Sequence, residues 1–368
     1  RATGRRSAGT TSKTSTPPRR DELTLPRPSA LAIGGAQPVL PSPPVPAASL
    51  ARLARAFDRR RLGAAALGLA LTALAACRVT SHPTEPFAPP PARSTPKSWD
   101  EVLAHPVDVD VQAVVSAHWE ANRKGLVDLN HPVAKEAGIT NEKVPIVLLV
   151  GVIRHPTAGD FVVDTGASEE LVRRDRKGAV RGLARAVTNT MEPIESLAGI
   201  VARHHLDVSG VLLTHSHFDH VLGLPDLAPD VPIYVGPGEL RQRRQFNVLL
   251  RPMMQRLFEG RDPVREIDPA TTLALEPFST VVDLVGDGSI WGIVVEGHTK
   301  GSMAWLVNST DGPALFVGDT SHTRWGWDHG VPPGTFTSDH ELNAVALEQL
   351  RGFVKAHPEI RVYVGHEL

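Results

Sequence analysis

The chain contains the segment Thr214-His215-Ser216-His217-Phe218-Asp219-His220, in which four potential metal ligands lie within six residues. An apolar run, Val211-Leu212-Leu213, precedes the segment and predicts a buried strand. Residues two apart in an extended chain point to the same side, so we expect His215 and His217 to converge on one point. Imidazole and carboxylate ligands together suit zinc, iron or manganese, and the lack of a thiolate argues against a structural zinc knuckle. The segment therefore predicts a metal site at a strand end, rather than a polar loop that happens to be rich in histidine.

Three later strand-like runs also end in glycine followed by a ligand type, as Gly297-His298, Gly318-Asp319 and Gly365-His366. Together with the first segment they make seven candidate ligands, each at or just beyond a predicted strand end. Strand ends on one side of a sheet are where α/β folds place their sites. Glycine at these points lets the backbone turn sharply and approach bound metals closely.

Asp164 ends an earlier strand-like run, Phe161-Val162-Val163-Asp164, and precedes Thr165-Gly166. Aspartate is a common turn former, but an aspartate at a strand end can also orient a metal ligand. The spacing supports both interpretations equally. His204 and His205 end a helical repeat that leads into the metal segment, so we interpret them as cations at a helix C-terminus rather than as ligands.

On these residues the chain resembles the metallo-β-lactamase superfamily over about residues 140–368, through the complete pattern HxHxDH…H…D…H. The resemblance implies an α/β fold of the four-layer αββα type, with two divalent metal ions in the cleft. Zinc is the expected metal, with iron or manganese as alternatives. The ligands that the resemblance implies are His215, His217 and His298 for the first ion, Asp219, His220 and His366 for the second, and Asp319 as a bridge. Asp164 matches the family's early strand-turn aspartate next to the site.

The chemistry that follows is hydrolysis, because water held between two divalent ions loses a proton near neutral pH and becomes a nucleophile. One ion can polarise the substrate carbonyl or phosphoryl oxygen, and Asp219 can pass a proton to the leaving group. No serine or cysteine nucleophile is needed. We therefore expect Thr214 and Ser216 to act as local hydrogen-bonding residues.

Several segments favour the lactonase-like members of the family. True β-lactamases lack the bridging aspartate and many use a cysteine ligand, so Asp319 argues against antibiotic hydrolysis. Residues 297–302 (GHTKGS) resemble a segment of glyoxalase II-type thioesterases and N-acyl-homoserine lactone lactonases, and the pattern from Gly318 to Glu367 is closer to the lactonases. The predicted reaction is cleavage of an ester, lactone or thioester bond in a small-molecule substrate. The alternatives are a phosphodiesterase or nuclease on the same ligands, and a non-catalytic metal-binding protein of the cell envelope.

The chain departs from the lactonase pattern in two places. His322 stands three residues after Asp319, where lactonases carry a tyrosine, and the lactonases continue past the last histidine whereas this sequence ends at Leu368. We predict that His322 donates a hydrogen bond to a substrate oxygen without being a structural ligand. The alternative is a solvent-exposed histidine in a loop.

Length and charge limit the classes of partner. The 368 residues suffice for one large or two ordinary domains, and a hydrophobic content of 41% is that of a folded protein. A net charge of −1 gives no electrostatic reason to expect a nucleic-acid partner. Nothing in the sequence predicts an oligomeric state.

The N-terminal quarter predicts export and lipidation. Residues 1–51 are rich in Pro, Ala, Ser, Thr and Arg and are interpreted as disordered or as translated sequence upstream of the true start. Residues 52–77 combine arginines with an apolar run of 15 residues, Leu62 to Ala76, which suits a signal peptide. The run ends Leu74-Ala75-Ala76-Cys77, which resembles the lipobox of a bacterial lipoprotein, and Cys77 is the one cysteine of the chain. We predict a lipid anchor on Cys77 in the outer membrane, facing the periplasm, because Arg78 replaces the usual inner-membrane retention aspartate. The alternatives are an ordinary signal peptide with an incidental cysteine and an uncleaved anchor.

Residues 78–97 are rich in proline and predict an extended linker, so the folded hydrolase domain is expected to occupy residues 98–368. Within it, residues 239–258 predict a helical insert, kinked at Pro252, that either packs on the core or forms an apolar lid over the site. Ser338 and Glu341 have the spacing of a capping box and predict the start of a final helix.

Overall fold

The computed structural model describes residues 82–368, except residues 93–94, 176, 242–250 and 262. The predicted upstream segment and signal peptide, including Cys77, lie outside the described residues. No helix among the described residues combines the length and the apolarity that a membrane span requires.

Within the described residues, eight strands form one mixed sheet. In chain order these strands are β1 (Thr84–Phe87), β2 (Asp110–Asn122), β3 (Lys143–His155), β4 (Gly159–Val163), β5 (Glu192–Pro193), β6 (Val208–Leu212), β7 (Ile233–Val235) and β8 (Val264–Ile267). Their spatial order is β1-β8-β7-β6-β4-β3-β2-β5. The half from β1 to β4 is parallel, and the half from β4 to β5 is antiparallel.

A second sheet has six strands in the described chain, in the spatial order β14-β13-β12-β11-β10-β9. They are β9 (Leu273–Leu275), β10 (Phe278–Asp283), β11 (Ile290–Val294), β12 (Met303–Val307), β13 (Ala314–Phe316) and β14 (Arg361–Tyr363). Only β13 and β14 are parallel neighbours among these described strands.

The α-helices of the described chain are α1 (Trp99–Leu103), α2 (Arg123–Leu126), α3 (Pro132–Glu136), α4 (Glu169–Val172), α5 (Leu183–Val187), α6 (Leu197–His204), α7 (Phe218–Val221), α8 (Arg251–Leu257), α9 (Arg324–His329) and α10 (His340–Ala356). Short 3₁₀ helices cover Leu224–Asp226, Glu239–Arg241, Pro269–Thr271 and Gly318–Thr320.

The two sheets pack face to face, with helices on their outer faces. Successive strand residues point to opposite faces of a sheet, so Val162 packs with Leu197 of α6 while Val163 packs with Trp305 of the second sheet. On the far side of the second sheet, Trp291 packs with helix residues such as Leu350 of α10. The resulting order of helix, sheet, sheet and helix is the predicted αββα sandwich, which is confirmed.

The expected linker is in part a strand of the first sheet. Residues 84–87 form β1, which pairs in parallel with β8 at the sheet edge. Pro86 is tolerated there because an edge strand needs fewer ladder hydrogen bonds. The Phe87 ring packs edge-on against Tyr234 at a centroid distance of 4.9 Å. The described fold therefore begins before Ser98, where the sequence predicted the domain to start.

The last helix begins one residue later than predicted. The N-cap of α10 is Asp339, whose side chain accepts a hydrogen bond from the Leu342 N–H, so the capping box of Ser338 and Glu341 is wrong. The Ser338 N–H instead donates to the His298 carbonyl, and the Asp339 N–H donates to the Gly297 carbonyl. These bonds hold the start of α10 beside a ligand-bearing loop.

The described part of the predicted helical insert packs on the core. Met253, Met254 and Leu257 of α8 are buried in the core between the first sheet and its helices. Pro252 is the second described residue of α8, and the predicted kink, which depends on the residues before Arg251, stays a prediction. Residues 242–250 of the insert lie outside the described residues.

Candidate metal centre

Each predicted ligand lies in the connection that follows a strand, with Asp219 and His220 in α7 and Asp319 in the 3₁₀ helix Gly318–Thr320. The segment from His215 follows β6, His298 follows β11, Asp319 follows β13 and His366 follows β14. Gly297 has φ +142° and lies so close to α10 that a Cβ there would be 2.2 Å from the Asn343 nitrogen. Glycine at this position lets the His298 loop lie against the helix.

Three histidines and one carboxylate oxygen form a first ligand group, which comprises His215, His217, His298 and Oδ2 of Asp319. The His298 Nε2 lies 3.1 Å from His215 Nε2 and 2.8 Å from His217 Nδ1. The Asp319 Oδ2 lies 3.5 Å from His215 Nε2 and 3.3 Å from His298 Nε2. Four ligands bound tetrahedrally at about 2.0 Å are about 3.3 Å apart, so the group fits one divalent ion.

A second ligand group comprises Asp219, His220, His366 and Oδ1 of Asp319. The Asp319 Oδ1 lies 3.5 Å from His220 Nε2 and 3.4 Å from His366 Nε2, and the Asp219 Oδ2 lies 3.6 Å from His366 Nε2. The His220 Nε2 and the Asp319 Oδ1 are buried without a hydrogen-bond partner among the described residues. Such orphaned atoms are costly unless something else binds them, and a cation satisfies both.

The structure thus brings all seven predicted ligands together, with one oxygen of Asp319 in each group. The second ring nitrogens of several of these histidines are also held. His366 Nδ1 lies 2.9 Å from the Val147 carbonyl, and His215 Nδ1 lies 3.1 Å from Thr214 Oγ1. Such contacts fix the ring orientation of a ligand before any ion binds.

Asp164 is placed for both of the roles that the sequence left open. Its backbone is in the left-handed region at φ +55°, as a turn residue, and its Oδ2 lies 2.8 Å from His220 Nδ1. The same carboxylate accepts hydrogen bonds from the N–H and the hydroxyl of Thr214. Asp164 therefore joins the start of the metal segment to a ligand of the second group.

Burial and the shared carboxylate shift the ligand pKa values in opposite directions. Burial lowers the pKa of His215 and of His298 well below the usual range of histidine. Burial acts the same way on His220 and His366, but the nearby carboxylates together outweigh it and raise their pKa, Asp319 first for both, with Asp164 for His220 and Asp219 for His366. Burial alone would raise the pKa of Asp319, but the surrounding histidines, His322 first, outweigh it and lower that pKa well below the usual value.

His322 is buried at the site. Its side chain is 1% exposed, so the alternative of a solvent-exposed loop histidine is wrong. Its Nε2 lies 3.1 Å from Asp319 Oδ2, and its ring is parallel to that of His366 at a centroid distance of 5.6 Å. Its Nδ1 is buried without a partner among the described residues. Asp319, His322 and His366 also offer ligand atoms within 4.8 Å of one another.

The residues that the sequence predicted not to bind metal lie where it placed them. His204 is the last residue of α6, with Nδ1 3.2 Å from Gln112 Nε2, and His205 is its C-cap. Thr214 bonds to Asp164, and both the N–H and the hydroxyl of Ser216 donate to one carboxylate oxygen of Glu239. Glu239 is fully buried, and sequence reasoning missed it because nothing in its spacing connects it to the ligands.

The fold and the histidine–aspartate site define a metallohydrolase of the metallo-β-lactamase type. The family model described as the metallo-beta-lactamase superfamily matches residues 145–366, more than half of the chain. The chain belongs to this superfamily.

Two individual relatives match the chain at 30% identity or less and over less than half of its length. Hydroxyacylglutathione hydrolase of Glaesserella parasuis serovar 5 (strain SH0165) is 30% identical over 183 residues, which is 48% of this chain and 60% of that protein. The cytochrome P450 monooxygenase mpaDE of Penicillium brevicompactum is 29% identical over 148 residues, 38% of this chain and 17% of that protein. The chain therefore spans less than two thirds of either relative.

A solved structure shares the fold over most of its length. It is an N-acyl homoserine lactone hydrolase with the product N-hexanoyl-L-homoserine bound at its catalytic metal centre. The TM-score is 0.52 at 17% identity, and the match covers 72% of this chain and 95% of that one.

Proposed function

We propose that the chain is a dinuclear metal-dependent hydrolase that cleaves an ester, lactone or thioester bond, with lactones as the preferred substrates. The observation that carries the proposal is the sharing of Asp319 between two complete ligand groups, because a bridging carboxylate holds two ions close together. Two zinc ions are expected, with iron or manganese as alternatives, since imidazole and carboxylate ligands accept each of these metals.

When bound, the ions supply a nucleophile at neutral pH and polarise the carbonyl oxygen of the substrate. The protein contributes the proton transfers and the orientation. Asp219 is the most exposed carboxylate of the site, with a side chain 13% exposed against 4% for Asp319. Its position at the edge of the second group suits a residue that takes up a proton and delivers it to the leaving oxygen.

His322 is proposed as a hydrogen-bond donor to the substrate. Its Nε2 lies on the side of Asp319 that faces the first ligand group, through the contact to Oδ2. An N–H there can donate to an oxygen as negative charge develops on it, which is the role that resemblance to lactonases gives to a tyrosine. The Phe336 ring, with its centroid 6.2 Å from His322, is 43% exposed and offers apolar surface for an acyl group.

The lactone preference is supported by the residues around the ligands and by the relatives. The 297–302 segment is similar to both thioesterases and lactonases, and the relatives include a hydroxyacylglutathione hydrolase and a lactone hydrolase with a bound product. A phosphodiesterase is the second candidate on the same ligands, and the net charge of −1 weighs against a nucleic-acid substrate. A non-catalytic metal binder is the third candidate, but two complete ligand groups, one of which includes the proposed proton-transfer residue Asp219, favour turnover.

A substrate panel with metal analysis tests the proposal. The full chain is loaded with zinc, iron or manganese and assayed on acyl lactones, p-nitrophenyl esters, an acyl thioester and bis-p-nitrophenyl phosphate. We expect two ions per chain and the highest kcat/KM on a lactone. Faster turnover of the phosphodiester would favour the second candidate, and two bound ions without any turnover would favour the third.

We also propose that Cys77 is lipidated and anchors the protein at the outer membrane, facing the periplasm. The support is the lipobox-like sequence that ends at the one cysteine of the chain, followed by Arg78.

A further inference from the structure

Glu239 is a fully buried carboxylate outside both ligand groups. It begins the 3₁₀ helix Glu239–Arg241, which follows β7, and its side chain is 0% exposed. A buried carboxylate is costly unless every oxygen is hydrogen-bonded. Burial raises the pKa of Glu239, and the donors around it act in the opposite direction. Because burial of the Glu239 carboxylate is unfavourable, we expect a structural role for its hydrogen bonds.

Both oxygens of Glu239 are used, one for each of two ligand-bearing loops. The Oε1 accepts from the Ser216 N–H at 2.6 Å and from the Ser216 hydroxyl at 2.7 Å. The Oε2 accepts from the Thr299 hydroxyl at 2.7 Å and from the Gly301 N–H at 3.0 Å. Ser216 lies between His215 and His217, so the first contact fixes the backbone that carries both.

The second contact fixes the loop that carries the third histidine. Thr299 directly follows His298, and its N–H and hydroxyl also contact the Ser302 hydroxyl. A Cβ on Gly301 would lie 2.6 Å from the Glu239 Cβ, so the lack of a side chain there allows the loop to approach. One carboxylate thus connects the loops of all three histidines of the first ligand group.

The second ligand group is held by a different carboxylate. Asp164 contacts His220 and Thr214 but makes no hydrogen bond to the loop after His298 among the described residues. We infer that Glu239 is a positioning residue that sets the spacing of the first ligand group, whereas Asp164 contacts the second group directly at His220 and reaches His215 of the first only through Thr214. The inference rests on the proposed metal centre and adds to it a carboxylate that acts through the ligand backbone.

Metal titration of the full chain separates the two roles. The metal-free protein is titrated with ¹¹³Cd²⁺, and NMR resolves the ions by their different nitrogen and oxygen ligands. We expect Glu239→Gln to weaken binding at the first group about 10- to 100-fold, with less than about threefold change at the second. The amide places an N–H₂ where two donors already point, so either Ser216 or the Gly301 loop loses its acceptor. Asp164→Asn is expected to weaken the second group more than the first, because Asp164 contacts His220 directly and His215 only through Thr214.

Two further variants control for loss of charge and loss of fold. Glu296→Gln removes an equal charge from an exposed residue two positions before His298 and is expected to leave both affinities unchanged. Thr299→Val removes one of the four hydrogen bonds and is expected to weaken the first group alone, and Thr299→Ser is expected to restore it. This pair decides the matter even if Glu239→Gln does not fold.

The outcomes separate this inference from the proposed function. Equal loss at both groups, or wild-type affinity in both Glu239→Gln and Thr299→Val, overturns the role of Glu239 while the metal centre stands. A wild-type chain that binds no cadmium, zinc or manganese overturns the proposed function itself.

Discussion

Asp319 is the residue on which both ligand groups depend, because its two oxygens face different groups. Replacing it by alanine removes a ligand from each and also the charge that raises the pKa of His220 and His366. We expect Asp319→Ala to lower metal content and turnover together. The loss in metal affinity and activity should exceed the roughly 100-fold that is typical when a residue supporting a ligand is removed. Metal analysis and lactone kinetics on the same preparation measure both. A variant with two ions per chain and normal turnover would refute the dinuclear site.

His322 offers a sharper test because its loss should separate binding from turnover. A single donor to developing charge is typically worth about 100-fold or more in kcat. We expect His322→Ala to lose about that factor on lactones with metal content unchanged, and His322→Tyr to recover part of it. If metal content falls as well, His322 is a ligand, as its place beside Asp319 and His366 would allow. Wild-type kinetics on esters, lactones and thioesters would remove His322 from the reaction.

The opposite pKa shifts of the two groups predict the order in which acid removes the ions. Protons compete with metal for each imidazole. In the metal-free protein the raised pKa of His220 and His366 means that they gain protons first as the pH falls. His215 and His298, whose pKa is lowered by burial, stay neutral to lower pH. We therefore expect the second group to lose its ion at a higher pH than the first. Cadmium NMR against pH measures this, and simultaneous loss or the reverse order would contradict it.

At the scale of elements, β1 tests whether residues 84–87 belong to the fold. Phe87 is half-buried and packs against Tyr234, so Phe87→Ala should lower the free energy of unfolding by about 1–3 kcal/mol, less than for a fully buried phenylalanine. Glu85→Ala on the exposed side of the same strand should cost less than about 1 kcal/mol. Denaturant titration measures both. If Phe87→Ala and Glu85→Ala have equal free energies of unfolding, residues 84–87 act as a linker and not as part of the fold.

The elements also show what a sequence can reveal. Ligands were predictable because each follows a strand and a chemical type recurs, as at His298 and His366. The role of Glu239 was not predictable, because its hydrogen-bond partners Ser216 and Thr299 lie 23 and 60 residues away along the chain. β1 was missed because Pro86 disfavours a central strand, and only the sheet order reveals that it lies at an edge. Asp339 displaced Ser338 as the cap because tertiary bonds to the 297–298 loop set where α10 begins.

At the scale of the molecule, the two-sheet sandwich explains how distant segments meet. The first sheet supplies the loops after β4 and β6, and the second supplies those after β11, β13 and β14. Because Trp305 and Phe316 pack against Val163 and Leu212 between the sheets, the ends of these strands are held together. A site built from both sheets depends on that packing, and so does the spacing between the two ligand groups.

The proposed anchor makes a prediction about how the whole protein is attached. Residues 78–83 separate Cys77 from β1, and six residues reach at most about 20 Å, so a lipid on Cys77 would hold the β1 edge near the bilayer. We expect Cys77→Ser to remove the protein from the outer-membrane fraction of a bacterial host, by release or mislocalisation, with unchanged kcat/KM on a soluble lactone. Arg78→Asp should keep the lipid but shift the protein to the inner membrane. Fractionation with mass spectrometry of the N-terminal peptide reads out both, and unlipidated wild-type protein in the soluble periplasmic fraction would contradict the anchor while leaving the hydrolase proposal intact.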